Sequence, residues 1–188
     1  MTEAPIEFPA AGLGDGVVRL RLMAEDDVDA VVDACQDPEI PRWTRVPTPY
    51  GEAEARQWLA QQGRTRRAGL AVELVMVEEA SGRLVGSVGI ADIVWDEGRA
   101  DVGYWVARAA RGAGIATRGV RLLTAWAFDA LPIERLQICA EPDNAASRRV
   151  AERAGFTFEG VLRSYILNKG TRRDAAMYSL LRSELPDE

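Results

Sequence analysis

Residues 98–116 read GRADVGYWVARAARGAGIA, and this stretch decides the fold. Val102-Gly103-Tyr104-Trp105-Val106 is a short apolar run with strand character. It passes into Arg111-Gly112-Ala113-Gly114-Ile115-Ala116 and from there into a helical pattern that continues through Ala130. A strand feeding a glycine loop at a helix start can bind phosphate with backbone alone. The free N–H groups of the first turn point at the anion, and the helix dipole favours negative charge. Gly112 and Gly114 lack a Cβ and let the backbone approach a ligand closely. Ala113 and Ala116 keep the same surface open. The spacing is not that of a P-loop. The dinucleotide-binding fingerprint also fails, because Thr117 stands where a third glycine would be needed.

The second half of the signal lies downstream. Leu136-Gln137-Ile138-Cys139-Ala140 reads as another buried strand, ending at Glu141-Pro142-Asp143-Asn144. A helix is expected from Ala145 to Ala154, with Asn144 or Asp143 as N-cap and Gly155 as the residue that ends it. A further strand is expected from Phe156 to Ile166.

In this order and spacing the residues resemble the GNAT N-acetyltransferases. Arg111-x-x-Gly114-x-Ala116 is similar to their acyl-CoA pyrophosphate loop. Asn144-x-x-Ser147, followed by Arg149-Val150-Ala151-Glu152 and Gly155-Phe156, resembles the RimJ/RimL branch of ribosomal-protein N-terminal acetyltransferases. The resemblance extends to Arg19-Leu20-Arg21, to Pro41-Arg42-Trp43 before a helix, and to a terminal strand, Asp174-x-x-Met177-Tyr178-Ser179-Leu180-Leu181.

The resemblance implies the acyl-CoA N-acyltransferase fold. This is an α/β (α+β) architecture with a mostly antiparallel central sheet, splayed at its two central strands, and helices on both faces. It implies acetyl-CoA as co-substrate, with the pantetheine lying in the splay like an extra strand. Backbone groups of Trp105 and Val106 would pair with it, and an N–H near Val106 would stabilise the oxyanion. Residues Arg111, Gly112, Ala113, Gly114, Ile115, Ala116 and Thr117 would hold the pyrophosphate, and Asn144 the pantetheine arm.

Composition narrows the chemistry independently. The chain has 188 residues, 47% of them hydrophobic, which suits one domain over residues 1–188 with a real core. The Gly/Pro-rich residues 1–15 are expected to form a surface arm. No apolar run approaches the roughly 18 residues that span a membrane, and the acidic start lacks the basic region of a secretory signal. Two cysteines, Cys35 and Cys139, are too few for a disulfide framework and lack metal-site spacing. These features predict a cytoplasmic, reduced protein without membrane contact. The net charge of −6 argues against nucleic-acid partners and suits a cationic acceptor such as an amine. Histidine is absent, which excludes Ser-His-Asp and Cys-His catalysis and His-containing zinc sites. No metal is expected.

Periodicity supplies the remaining elements. Val17–Leu22 alternates as a strand, and Glu25–Cys35 carries a helical apolar face at Val28, Val31, Val32 and Cys35. Asp37–Gly51 is turn-rich, and Glu52–Arg66 is a second helix. Leu70–Val77 and Leu84–Trp95 form a hairpin around Ala80-Ser81-Gly82. The resulting order, β-α-α-β-β-β-α-β-α-β-β, agrees with the fold that the motifs imply.

Acyl transfer to an amine needs a neutral nucleophile, a polarised thioester and a proton for the leaving thiolate. Asp101, at the start of the central strand, stands where related enzymes place a glutamate base. Glu141 is the second candidate. Ser147 is the candidate acid toward sulfur, because Ala151 stands where many relatives carry a tyrosine. Trp43, Tyr50 and Tyr165 are the aromatics assigned to the acceptor side. The expected acceptor is a primary amine, foremost the α-amine of a protein or peptide. A small-molecule amine remains an alternative, as does a non-catalytic acyl-CoA-binding domain. Dimerisation, common in the family, is left open.

Overall fold

The computed structural model describes residues 4–185. Eight strands form one sheet, in the order β1-β2-β3-β4-β5-β6-β8-β7. They are β1 (Leu13–Gly14), β2 (Val18–Arg21), β3 (Val72–Glu78), β4 (Leu84–Val94), β5 (Arg99–Val106), β6 (Arg135–Ala140), β7 (Thr157–Asn168) and β8 (Thr171–Leu181). Neighbours run antiparallel except β5 and β6. Those two are parallel because the helix α4 (Ile115–Ala130) carries the chain back over the sheet between them.

Helices cover both faces. The helices α1 (Val28–Cys35) and α3 (Glu52–Arg67) lie on one face, packed on Val75, Val77 and Leu84. On the other face, α4 and α5 (Ala145–Ala154) cover a larger core built on Leu74, Met76, Val88, Ile90, Val102, Leu136 and Ile138. The middle strands are therefore apolar on both sides, which is why β3 reads as VELVMVE rather than as a clean alternation. In α4, Ile115, Val120, Leu123 and Ala127 form the buried stripe.

Three sequence expectations change. Residues 1–15 are not simply a surface arm, although 1–3 lie outside the described residues. Ile6 is 1% exposed, its N–H bonds the Arg66 carbonyl, and Phe8 meets Trp126 edge to face at 5.0 Å. The anchoring is hydrophobic: a Gly/Pro-rich segment still docks where it carries large apolar side chains. The expected turn-rich stretch Asp37–Gly51 contains a short helix, α2 (Glu39–Trp43). Pro38 and Pro41 permit this because Pro38 caps the helix and Pro41 falls in its first turn, where its missing N–H has no helical partner to lose. A two-residue strand, β1, precedes β2 and pairs with it.

Candidate active site

The site begins where two strands part. β5 and β6 pair over Arg99↔Arg135, Ala100↔Leu136 and Asp101↔Gln137, and the pairing stops there. Beyond it, β5 remains bonded to β4 as far as Val106, and β6 to β8 as far as Ala140. A wedge-shaped gap opens between them. It forms part of a cavity of about 840 Å³ that passes from one sheet face to the other.

The backbone of β5 decides what faces the gap. The Ala107 N–H bonds the Val85 carbonyl at 2.9 Å, and the register continues through Gly86↔Val106 and Ser87↔Trp105. Hydrogen-bonded and non-bonded pairs alternate in an antiparallel ladder. Trp105 therefore spends its backbone groups on Ser87, whereas Tyr104 and Val106 turn theirs into the gap. Of the two residues expected to pair with pantetheine, Val106 turns backbone toward the gap and Trp105 does not; Tyr104 does. Trp105 still lines the cavity through its side chain.

At the wide end of the gap stands the start of α4. Its first internal bond runs from the Arg118 N–H to the Gly114 carbonyl at 3.0 Å. The N–H groups of Ile115, Ala116 and Thr117 are left pointing out of the helix end. Gly114 has φ +77° and Gly112 φ +82°, and a Cβ on either would meet nothing within 4 Å. This is an open backbone cradle of the kind a pyrophosphate fills. The Ile115 side chain is buried, so that residue offers backbone only. Ala113 is exposed and lies outside the cavity wall. The Arg111 guanidinium is turned away from the cradle: Nε donates to the Val106 carbonyl at 3.1 Å, and the other end pairs with Asp37 at 2.6 Å. Arg111 thus ties the end of β5 to the loop before α2.

On the same face as α4, Asn144 caps α5. Its Oδ1 accepts the Ser147 N–H at 3.0 Å, which leaves the amide NH₂ free toward the gap. Ser147 meets Tyr104 across the opening, hydroxyl to hydroxyl at 2.9 Å. The Tyr104 hydroxyl also lies 3.0 Å from the Ser147 carbonyl. Burial pushes the Tyr104 phenol up to about 12, so it stays protonated at neutral pH.

The opposite face carries the residues expected on the acceptor side. Asp101 sits at the crotch of the gap, half-buried, and Oδ1 accepts from Gln137 Nε2 at 2.5 Å. Burial raises its carboxyl above the ordinary range, and the Gln137 bond opposes this in part. The raised value makes the carboxylate a better proton acceptor. Cys139 is next along β6. Burial, reinforced by Asp101, pushes its thiol up to about 12, which leaves it unsuited to carry an acyl group. Glu141 lies just past β6 and lines the same cavity. Trp43 also lines it, half-buried, with its indole N–H on Glu39 at 3.0 Å. Tyr50 lines it too, and burial raises its phenol. The β7–β8 hairpin forms the far wall through Ile166, Leu167 and Asn168, and Lys169 beyond them donates to the Pro41 carbonyl of α2. Tyr165 does not reach the cavity wall. It is 45% exposed on the edge strand β7, although burial and the nearby Cys139 and Asp101 raise its phenol.

Comparison with known proteins agrees with this geometry. The Acetyltransferase (GNAT) domain family matches residues 18–157. The chain is a GNAT acetyltransferase. An uncharacterised N-acetyltransferase of Bacillus licheniformis, p20, is 30% identical over 166 residues, covering 88% of this chain and 93% of the relative. Mycobacterium smegmatis RimJ, solved with a CoA disulfide, superposes with a TM-score of 0.82 at 25% identity, over 95% of this chain and 86% of that one. RimL, a ribosomal α-N-protein acetyltransferase solved with coenzyme A, has a TM-score of 0.80 at 22% identity, over 93% of this chain and 97% of that one.

As a GNAT enzyme the protein uses acetyl-CoA as co-substrate, and the cradle at Gly112–Thr117 suits its pyrophosphate. Among the described residues there is no cluster of His, Cys, Asp and Glu that could hold a metal ion. No described helix is long and apolar enough to cross a membrane. Two polar residues at the gap are not singled out by the sequence. Tyr104 was absorbed into an apolar strand, and Gln137 into the run Leu136–Ala140. Gln137 did carry a signal, since an amide inside a buried strand requires a hydrogen-bond partner. Nothing in the local sequence of Tyr104 names Ser147 as its partner.

Proposed function

We propose that this enzyme acetylates the N-terminal α-amine of a protein or peptide. One observation carries the reading: Asp101 and the Ser147–Tyr104 pair lie on opposite faces of the sheet and meet only through the β5–β6 gap. A donor threaded through that gap presents its carbonyl to an amine on the Asp101 side and its sulfur to hydroxyls on the Ser147 side. The backbone groups turned inward at Tyr104, with the free amide of Asn144, hold the pantetheine. The Val106 N–H is the oxyanion donor. Asp101 takes the amine proton, directly or through water, and Ser147 gives one to the thiolate. The walled acceptor side, closed by α2 and the β7–β8 hairpin, favours a narrow extended chain end. Likeness in fold to RimJ and RimL supports the same class of acceptor.

The test supplies purified enzyme and acetyl-CoA with peptides whose α-amine is free or formylated, and with a panel of small amines. Free thiol release and product mass are recorded. Acetylation of the free α-amine, lost on formylation, is expected. Turnover confined to small amines would overturn the reading.

A further inference from the structure

The acceptor cavity does not stop at Asp101. It continues across the sheet beneath α3 to a second carboxylate, Glu73 on β3. The floor between them is bare backbone. Asp101 pairs with Ala91, Gly103 pairs with Gly89, and Gly89 pairs with Glu73. A Cβ at Gly103 would meet nothing within 4 Å, so the passage above it is open. At Gly89 a Cβ would meet the β3 backbone, the Val72 carbonyl at 2.7 Å, and then the Glu73 side chain at 3.1 Å, so Gly89 packs directly against β3 at Glu73. From strand spacing and rise, the Cα atoms of Asp101 and Glu73 lie about 12 Å apart.

Among the described residues, Glu73, like Asp101, is one of the acids lining this cavity that no arginine pairs. Glu39 is paired with Arg42 and Asp92 with Arg45. Glu73 has no ion pair among the described residues. Its Oε2 accepts the Trp58 indole N–H at 2.7 Å, and Oε1 has no protein donor there. Burial raises its carboxyl. Trp58 and Tyr50 stand in the same wall, with ring faces and edges suited to a cation or its aliphatic stem. An unpaired, largely desolvated carboxylate is costly unless a partner completes it.

From these features we infer that the Glu73–Trp58–Tyr50 recess binds a cationic group of the acceptor, namely the lysine or arginine side chain of the residue that follows the acetylated one. The inference rests on the α-amine reading above and deepens it. The α-nitrogen of a chain end and the ammonium of a lysine at the next position reach on the order of 10 Å apart when extended, comparable with the about 12 Å between the Asp101 and Glu73 Cα atoms. The same chemistry could be supplied by a small diamine.

The test measures kcat/KM for peptides that differ only at the second position: lysine, norleucine (the lysine stem without its ammonium), or glutamate. Wild type should prefer lysine over norleucine by roughly tenfold, the scale of one charge-assisted hydrogen bond, with the effect in KM. Glu73→Gln should abolish that preference while acetyl-CoA affinity, read by calorimetry, stays at the wild-type value and certifies the fold. Equal use of all peptides, or a lysine preference that survives Glu73→Gln, would overturn the inference. If no peptide is acetylated, the α-amine reading fails and the diamine arm decides. A preference for a diamine over a monoamine of equal length, lost in Glu73→Gln, supports the recess as a cation site. Its absence removes the recess.

Discussion

The Tyr104 hydroxyl lies 2.9 Å from Ser147 Oγ and 3.0 Å from the Ser147 carbonyl, joining the edge of β5 to the first turn of α5 across the gap. When Tyr104 donates to Oγ, the serine proton is free to be given to a thiolate. When Tyr104 donates to the carbonyl, Ser147 can turn its proton back to Tyr104. If Ser147 is the acid, its proton must therefore be free of Tyr104 at the moment of transfer. Ser147→Ala should lower the single-turnover rate by about 100-fold, a usual scale for general-acid loss. A donor with a more acidic thiol should restore it. Tyr104→Phe should cost about 1 kcal/mol of stability and a smaller part of the rate. Because the two share one network, the double variant should be no slower than Ser147→Ala. Full additivity would show that the hydroxyls act apart.

Asp101 should set the acid limb of the pH profile. Its raised carboxyl places the rise of kcat/KM above the ordinary aspartate value of 3.8. Asp101→Asn should remove that limb, with the remaining deficit shrinking at high pH where the amine is already neutral. Gln137→Leu removes the bond that holds the carboxyl down, so the limb should move further up. Linkage gives a second readout. A carboxyl raised on folding contributes stability below its unfolded value, and that contribution is lost as pH rises through the folded value. Asp101→Asn should therefore raise Tm at neutral pH while lowering activity. An unchanged pH profile would make Asp101 structural and pass the role to Glu141.

Gly114→Trp should abolish measurable acetyl-CoA binding in calorimetry. The indole would occupy the cradle, where a Cβ meets open space. The positive φ of Gly114 adds a stability cost of about 1–2 kcal/mol, so the variant should stay folded with a lower Tm. Wild-type affinity would dissociate the glycine loop from donor binding.

Glu159 offers a stability test away from the site. Both of its oxygens take Arg135 N–H groups, at 2.8 and 2.6 Å, and Ser179 adds a third bond at 2.7 Å. Arg135 holds the carboxyl down at about 2, against an ordinary value of 4.5. The resulting stability is present above pH 4.5 and is lost as pH falls through about 2. Glu159→Gln should cost less than about 1 kcal/mol at neutral pH, since the pair is partly exposed. The Tm gap to wild type should close across that acid window. A gap independent of pH would mean that packing, not charge, is lost.

The sequence was most informative where a local rule sufficed. Gly112 and Gly114 announced the cradle because positive φ and missing Cβ atoms are properties of the residue itself. Asn144 and Gly155 bounded α5 for the same reason. The helix at Glu39–Trp43 is not legible in the sequence because Pro38 and Pro41 read as turn residues, and only their positions at its cap and in its first turn make them compatible. The Gly/Pro content of residues 1–15 points to the surface, but Ile6 and Phe8 carry enough apolar area to dock the segment.

The glycine loop, most of the element order and the family are determined by the sequence alone, since each depends on residues adjacent in the chain. The site was decided by the tertiary structure. The choice of Tyr104 over Trp105 to face the gap follows from the β4–β5 register, which no local pattern contains. The Tyr104–Ser147 contact spans 43 residues and the Asp101–Gln137 contact 36. Trp58 reaches Glu73 from a helix on a neighbouring layer. Such pairs exist only once strands have chosen partners and parted. That choice belongs to the packing of both sheet faces together, because it is set by burying two cores at once rather than by any single stretch of chain.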